Sequence, residues 1–86
     1  MSTQTDYMTA PLETLSIRDL TDAIGIAESA ILLKTTPRAI YTQRNTGKIS
    51  VERMQQLIAQ VRTNEAHYRE RLAIKRNMQA AAEAAA

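Results

Sequence analysis

The sequence predicts an all-α fold, a compact domain of four or five helices, and three observations indicate this class. Only two glycines and two prolines occur in 86 residues, so few positions interrupt regular structure. Apolar residues recur at helical spacing along most of the chain. No stretch alternates polar residues with the β-branched and aromatic residues that are typical of strands.

Composition argues against several classes of function. Cysteine is absent and His67 is the sole histidine, so neither a disulfide framework nor a metal site is predicted. No nucleophile, base and orienting group converge in the pattern, and we expect no enzyme, no cofactor and no small-molecule ligand. The chain has neither a signal-like start nor about 18 consecutive apolar residues, which favours a cytoplasmic protein without membrane contact.

The formal net charge of +2 conceals a gradient along the chain. Residues 1–28 contain five acids and one base, a net charge of −4, whereas residues 29–62 contain six bases and one acid, a net charge of +5. Such asymmetry indicates a polyanionic partner, although a solvated basic face gives the same pattern.

Local signals predict where the first helices begin and end. Residues 1–11 are polar and are predicted to form a flexible arm. Ser16, followed by Asp19 three positions later, has the spacing of a capping box, so a first helix is predicted to begin at residue 12 or 16 and to stop at Gly25. A second helix is predicted over residues 27–33, with its apolar side buried, and this side is formed by Ala30, Ile31 and Leu33.

The third helix has two different sides. Thr36 is a good N-cap and Pro37 suits the first helical position, so the helix begins there. Ile40 lies on the side that can join a core, whereas the other side carries a stripe of hydrogen-bonding residues, Arg38, Tyr41, Thr42 and Asn45. A DNA major groove admits an α-helix and offers donors and acceptors to such side chains. A short solvated helix in a bundle is the competing interpretation.

A fourth helix is predicted after Ser50, which can cap it. Its apolar face closes the core and is formed by Val51, Met54, Leu57, Ile58 and Val61. Residues 63–86 have high helix propensity and are predicted to form a C-terminal helix with an alanine-rich, frayed end.

The order of these elements resembles the lambda-repressor and Cro class of helix-turn-helix domains over about residues 16–61. Ala30 matches the small residue of the first motif helix, Ile40 matches the buried residue of the recognition helix, and residues 44–52 look like the glycine-containing loop before a capped helix. The length is also similar to that of small temperate-phage regulators of the Cro, Cox and Apl type. The resemblance implies a DNA-binding domain over residues 12–62 and a transcriptional repressor that binds double-stranded DNA. An excisionase or architectural DNA-bending factor and a helical protein-interaction module stay open.

The same resemblance implies roles for individual residues. Base contacts are expected from Thr36, Pro37, Arg38, Tyr41, Thr42 and Asn45. Phosphate contacts are expected from Ser29, Lys34, Thr35, Arg44, Lys48 and Arg53. For Arg53 simple solvation of the fourth helix competes, and Tyr41 can instead lie half-buried against Ile40.

The C-terminal helix has three possible roles: packing on the domain, pairing with a second copy, or electrostatic contact with DNA. A homodimer or a higher assembly on DNA is expected, because one such motif touches only a few base pairs. An interaction module would instead use an apolar patch formed by Leu15, Ile31, Leu32 and Met54.

Overall fold

The computed structural model describes residues 6–85, and within them it contains five α-helices and no strand. The all-α prediction is confirmed. A 3-10 turn at Leu12–Thr14 precedes the helices, which are α1 (Ile17–Ile24), α2 (Ile26–Leu32), α3 (Pro37–Thr46), α4 (Val51–Arg62) and α5 (Glu65–Ala85).

Three helices begin at the side-chain caps that the sequence predicts. The Ser16 hydroxyl accepts from the Asp19 N–H at 3.1 Å, and the Asp19 carboxylate accepts from the Ser16 N–H in return. The hydroxyls of Thr36 and Ser50 accept from the N–H three residues on, at 3.1 and 3.2 Å. Gly25 ends α1 with a φ of 105°. Each cap satisfies an N–H that the helix leaves unpaired and contributes about 1 kcal/mol.

Helix α1 lies at the centre of the domain, in contact with each of the other four helices. Burial is correspondingly greatest on α1, where Leu20 and Ile24 are almost completely inaccessible to solvent. The other helices each direct apolar side chains toward this centre, among them Ala30, Ile40, Leu57, Val61 and Leu72. The small domain therefore has one core, with α1 as its axis.

Two apolar residues that were expected in the core lie at the surface. Ile31 is 78% exposed, because α2 buries Ser29 and Ala30, and position 31 lies about 100° further round the helix. Val51 is 71% exposed because it is the first residue of α4, and the fully buried residues of that helix begin at Leu57.

Residues 6–11 pack on the domain, and the predicted flexible arm is not observed for them. The guanidinium of Arg69, which is almost fully buried, donates to the carbonyl oxygens of Tyr7 at 3.1 Å and Ala10 at 2.7 Å. The guanidinium of Arg76 lies 5.8 Å from the centre of the Tyr7 ring. The remainder of the predicted arm lies outside the described residues.

Helix α5 packs back along α1, which is one of the three roles predicted for it. Tyr68 and Leu72 are buried, and the Lys75 ammonium donates to the carbonyl oxygen of Asp22 at 2.7 Å. The opposite side of α5 exposes Ile74 and Met78. From residue 77 to residue 85 every position of this helix is exposed.

Candidate nucleic-acid interface

A tight turn joins α2 to α3. The N–H of Lys34 donates to the carbonyl oxygen of Ile31 at 3.2 Å, and the N–H of Thr35 donates to that of Ala30 at 2.9 Å. These two bonds form a Schellman motif, which closes α2. Lys34 occupies the left-handed conformation at a φ of 55° that this motif requires. The turn therefore determines the angle at which α3 leaves α2.

The inner side of α3 is attached to the core at two places. Ile40 is completely buried, as the sequence predicts. Four residues later, Arg44 Nη1 lies 2.7 Å from Asp22 Oδ1 and 2.7 Å from Thr21 Oγ1, and it also donates to the Arg18 carbonyl oxygen at 3.3 Å. One apolar and one charged contact thus hold α3 against the core, and the charged contact is made to α1.

Arg44 therefore does not have the position expected of a phosphate contact. Its side chain is only 12% exposed, and its guanidinium is committed to Asp22. Ser29, another expected phosphate contact, is completely buried, and among the described residues its hydroxyl has no hydrogen-bond partner. Because α3 packs on α1 and α2 packs on the core, the side chains of Arg44 and Ser29 are turned inward. Neither residue therefore belongs to the candidate interface.

All six residues that were expected to contact bases are exposed, four of them on the outer side of α3 and two at its beginning. Thr36 and Pro37 are exposed at the beginning of the helix, and the stripe of Arg38, Tyr41, Thr42 and Asn45 is exposed along it. Tyr41 is 52% exposed, so about half of its surface is available to a partner. The Thr42 hydroxyl donates to the Arg38 carbonyl oxygen at 3.1 Å, which leaves its lone pairs free to accept.

Four of the expected phosphate contacts remain near the two ends of α3. Lys34 is exposed and Thr35 half-buried just before the helix, whereas Lys48 is exposed and Arg53 half-buried after it. Gly47 ends α3 in the left-handed conformation, at a φ of 70°, and directs the chain to Lys48. Cationic side chains thus lie on both sides of the polar stripe.

The acids of α1 are neutralised inside the domain. Asp22 bonds to Arg44 and Arg76, and Asp19 bonds to Arg76. Burial raises the pKa of Asp22, but the hydrogen bonds from Arg76 and Arg44 outweigh this effect and hold the pKa below its ordinary value of 3.8. Both carboxylates therefore add little negative potential to the candidate interface.

Sequence reasoning missed this cluster of Asp22, Arg44 and Arg76. The partners are 22 and 54 residues away from Asp22, so no local pattern joins them. The available signal was an acid in the helix with the most regular apolar pattern, because a buried carboxylate requires cationic or hydrogen-bonding partners.

A second surface feature is a groove between α1, α2 and α4. Ile24, Glu28, Ile31, Leu32 and Gln60 line a groove of about 240 Å³. Two of the four residues predicted for an interaction patch line this groove, whereas Leu15 is buried and Met54 is half-buried elsewhere.

Two other kinds of site, a metal centre and a membrane span, are absent from the described residues. No group of three or more His, Cys, Asp or Glu residues in this part of the chain is arranged to hold a metal ion. None of the helices between residues 6 and 85 is both long enough and apolar enough to span a membrane.

Comparison with known proteins found no match. No family model, no curated protein and no solved structure matches this chain.

Proposed function

We propose that this protein binds double-stranded DNA in a sequence-specific manner and acts as a small transcriptional regulator, most simply a repressor. The observation that carries the proposal is the two-sided character of α3. Ile40 and Arg44 attach one side to the core, and the exposed side consists of hydrogen-bonding residues. Helix α3 contains no acidic residue, so the stripe carries no negative charge that a phosphate backbone would repel.

The chemistry of the stripe suits base edges in the major groove. That groove is about 12 Å wide and admits an α-helix, whose diameter with side chains is about 10–12 Å. Arg38 can donate two hydrogen bonds to guanine, and Asn45 can pair with adenine through one donor and one acceptor. The Tyr41 hydroxyl can donate to further acceptors, and Thr42 can contact a thymine methyl group or accept from a base donor through its free lone pairs.

Phosphate contacts would fix the helix in the groove. Lys34 and Lys48 are exposed at opposite ends of α3, where they can reach the two backbones that border the groove. Contacts of this kind do not depend on base sequence, but they make affinity depend steeply on salt. The resemblance to the lambda-repressor and Cro class assigns the same roles to these positions.

A second copy of the chain is part of the proposal. Helix α3 has ten residues and is about 15 Å long, so one copy reads only a few base pairs. The exposed apolar pair Ile74 and Met78 on α5 is the face proposed for the second copy. Two copies would then read two half-sites about one helical turn apart.

The decisive experiment is a fluorescence anisotropy titration at low and high salt. The protein is titrated against labelled DNA from its own gene neighbourhood and against scrambled DNA of the same length. Tight, sequence-selective binding that weakens with salt supports the proposal. Absence of binding at low salt contradicts it. Footprinting then separates a repressor, which protects one or two symmetric sites, from an excision or architectural factor, which covers phased repeats and bends them.

The groove beside Ile31 favours one other function, a helical protein-interaction module. Ile31 is largely exposed at its edge, and Glu28 lies in its lining, so the groove suits an amphipathic helix with a basic residue. An interface of this kind depends little on salt, in contrast to binding through phosphates. The same titration series, repeated with Ile31→Asp, separates the two functions, because DNA binding does not use that residue.

A further inference from the structure

We infer that Asp22 is a positioning residue through which the C-terminal helix α5 determines how α3 packs on the domain. Neither α5 nor Asp22 belongs to the proposed DNA surface. The consequence for DNA affinity rests on the proposed function, whereas the coupling between the two helices does not.

The geometry assigns one arginine to each oxygen of the Asp22 carboxylate. Oδ1 accepts from Arg44 of α3 at 2.7 Å, and Oδ2 accepts from Arg76 of α5 at 2.7 Å. All three side chains are mostly buried, with exposed fractions of 11% for Asp22, 12% for Arg44 and 17% for Arg76. A single carboxylate of α1 therefore joins α3 and α5.

Helix α5 donates two further hydrogen bonds to the same part of α1. The second terminal nitrogen of Arg76 donates to Asp19, and the Lys75 ammonium donates to the main-chain oxygen of Asp22. Residues of α5 consequently bond to Asp22 at both its carboxylate and its main-chain oxygen.

The position of α3 on the core depends on this carboxylate as well as on apolar packing. Ile40 is the only fully buried residue of α3, and Arg44 provides a second, charged attachment. A buried carboxylate that loses one of two cationic partners must draw in water or change its side-chain rotamer. Either change alters the distance or direction of the remaining bond to Arg44. Removal of Arg76 therefore alters the bond that holds α3, although α3 and α5 do not need to touch.

The test compares Arg76→Met with Arg62→Met by hydrogen exchange. Arg62 pairs with Glu13 at the exposed surface, so its replacement removes an equal charge without reaching Asp22. In Arg76→Met the amides of residues 40–47 are expected to exchange roughly three- to tenfold faster, the size usual for residues that share a partner. In Arg62→Met they should exchange as in the wild type. Equal exchange in α3 for the two variants overturns the inference.

Two further variants keep the test decisive. If Arg76→Met does not fold, Asp22→Asn, which preserves shape, replaces it with the same expectation for residues 40–47. Arg76→Lys should restore part of the protection, because an ammonium can replace one of the donors. If the amides of α3 and α4 exchange faster by the same factor, the inference is contradicted. Such a result would indicate general destabilisation and not a change in how α3 packs.

DNA binding provides an independent readout. If the wild type binds a specific site, Arg76→Met is expected to lose roughly three- to tenfold in affinity at a temperature where it is folded, whereas Arg62→Met, with the same charge, changes little. If the wild type binds no DNA, the proposed function fails, and the exchange experiment still decides whether α5 positions α3. If α3 exchange responds but specific affinity does not, the part of the inference that concerns DNA is overturned.

Discussion

The main-chain N–H of Thr35 donates to the carbonyl oxygen of Ala30 at 2.9 Å, and the turn closed by this bond holds Lys34 at a φ of 55°. A residue with a Cβ adopts this left-handed conformation at a cost of about 1–2 kcal/mol. Glycine is the residue most often found at the corresponding position of a Schellman motif. The connection between α2 and α3 is therefore formed at an energetic cost that glycine would avoid.

Lys34→Gly is accordingly expected to raise the free energy of unfolding by about 1 kcal/mol, because relief of strain exceeds the extra entropy of glycine in the unfolded chain. Urea denaturation measures the change. Lys34→Ala is the matched control: it removes the same charge but keeps the Cβ, so no comparable gain is expected. An equal gain in both variants would attribute the effect to the lysine charge and not to the backbone.

Ile40→Ala is expected to reduce the free energy of unfolding by about 2–5 kcal/mol, because it leaves a cavity at a completely buried position. The same truncation at the exposed Ile31 should change stability by no more than about 0.5 kcal/mol. Thermal and urea unfolding followed by circular dichroism compare the two. Similar losses at both positions would contradict the assignment of Ile40 as the apolar anchor of α3.

Acid should destabilise the protein partly through Asp22. Its pKa in the folded state is held below the ordinary value of 3.8 by Arg76 and Arg44, against the opposing effect of burial. A lowered pKa means that this carboxylate stabilises the fold above its unfolded pKa, and that the contribution is lost as pH falls through the lower folded pKa. Asp22→Asn should therefore be less stable at neutral pH and lose less stability below about pH 4. Urea midpoints across this range measure the effect, with Glu52→Gln as a control for the loss of one exposed acid. Parallel pH profiles for the wild type and Asp22→Asn would exclude the contribution.

Arg38→Ala is expected to relax base preference at one position of the DNA site and to cost about 1–3 kcal/mol of discrimination there, if the side chain donates to guanine as proposed. Affinities for a set of single-base variants of the site measure this change. Arg62→Ala, which removes an exposed arginine from α4, is the control for charge alone. An equal loss of affinity for every DNA sequence would reassign Arg38 to a phosphate contact.

Lys48→Ala should weaken binding to all sequences by a similar factor and reduce the dependence of affinity on salt by about one phosphate contact. Anisotropy titrations at several salt concentrations give the slope. A change in base preference without a change in slope would contradict the role proposed for Lys48. Unchanged binding in both Arg38→Ala and Lys48→Ala would remove α3 from the interface.

The sequence by itself determined the fold class and the places where helices begin. The Ser16 and Asp19 box, the Thr36 cap and the Ser50 cap act over three residues, and such short-range bonds can be recognised without the rest of the fold. Helical periodicity also identified Ile40 as the buried residue of α3 and the stripe from Arg38 to Asn45 as its outward side.

Only the tertiary structure decided which polar residues serve the core. Periodicity shows which side chains share a face, but the neighbouring helices determine which face is covered. Ser29 therefore became buried while Ile31 became exposed, although both lie on the same short helix. Arg44 appeared suited to a phosphate until α1 placed Asp22 against it, because an ion pair between residues distant in sequence exists only after the helices pack.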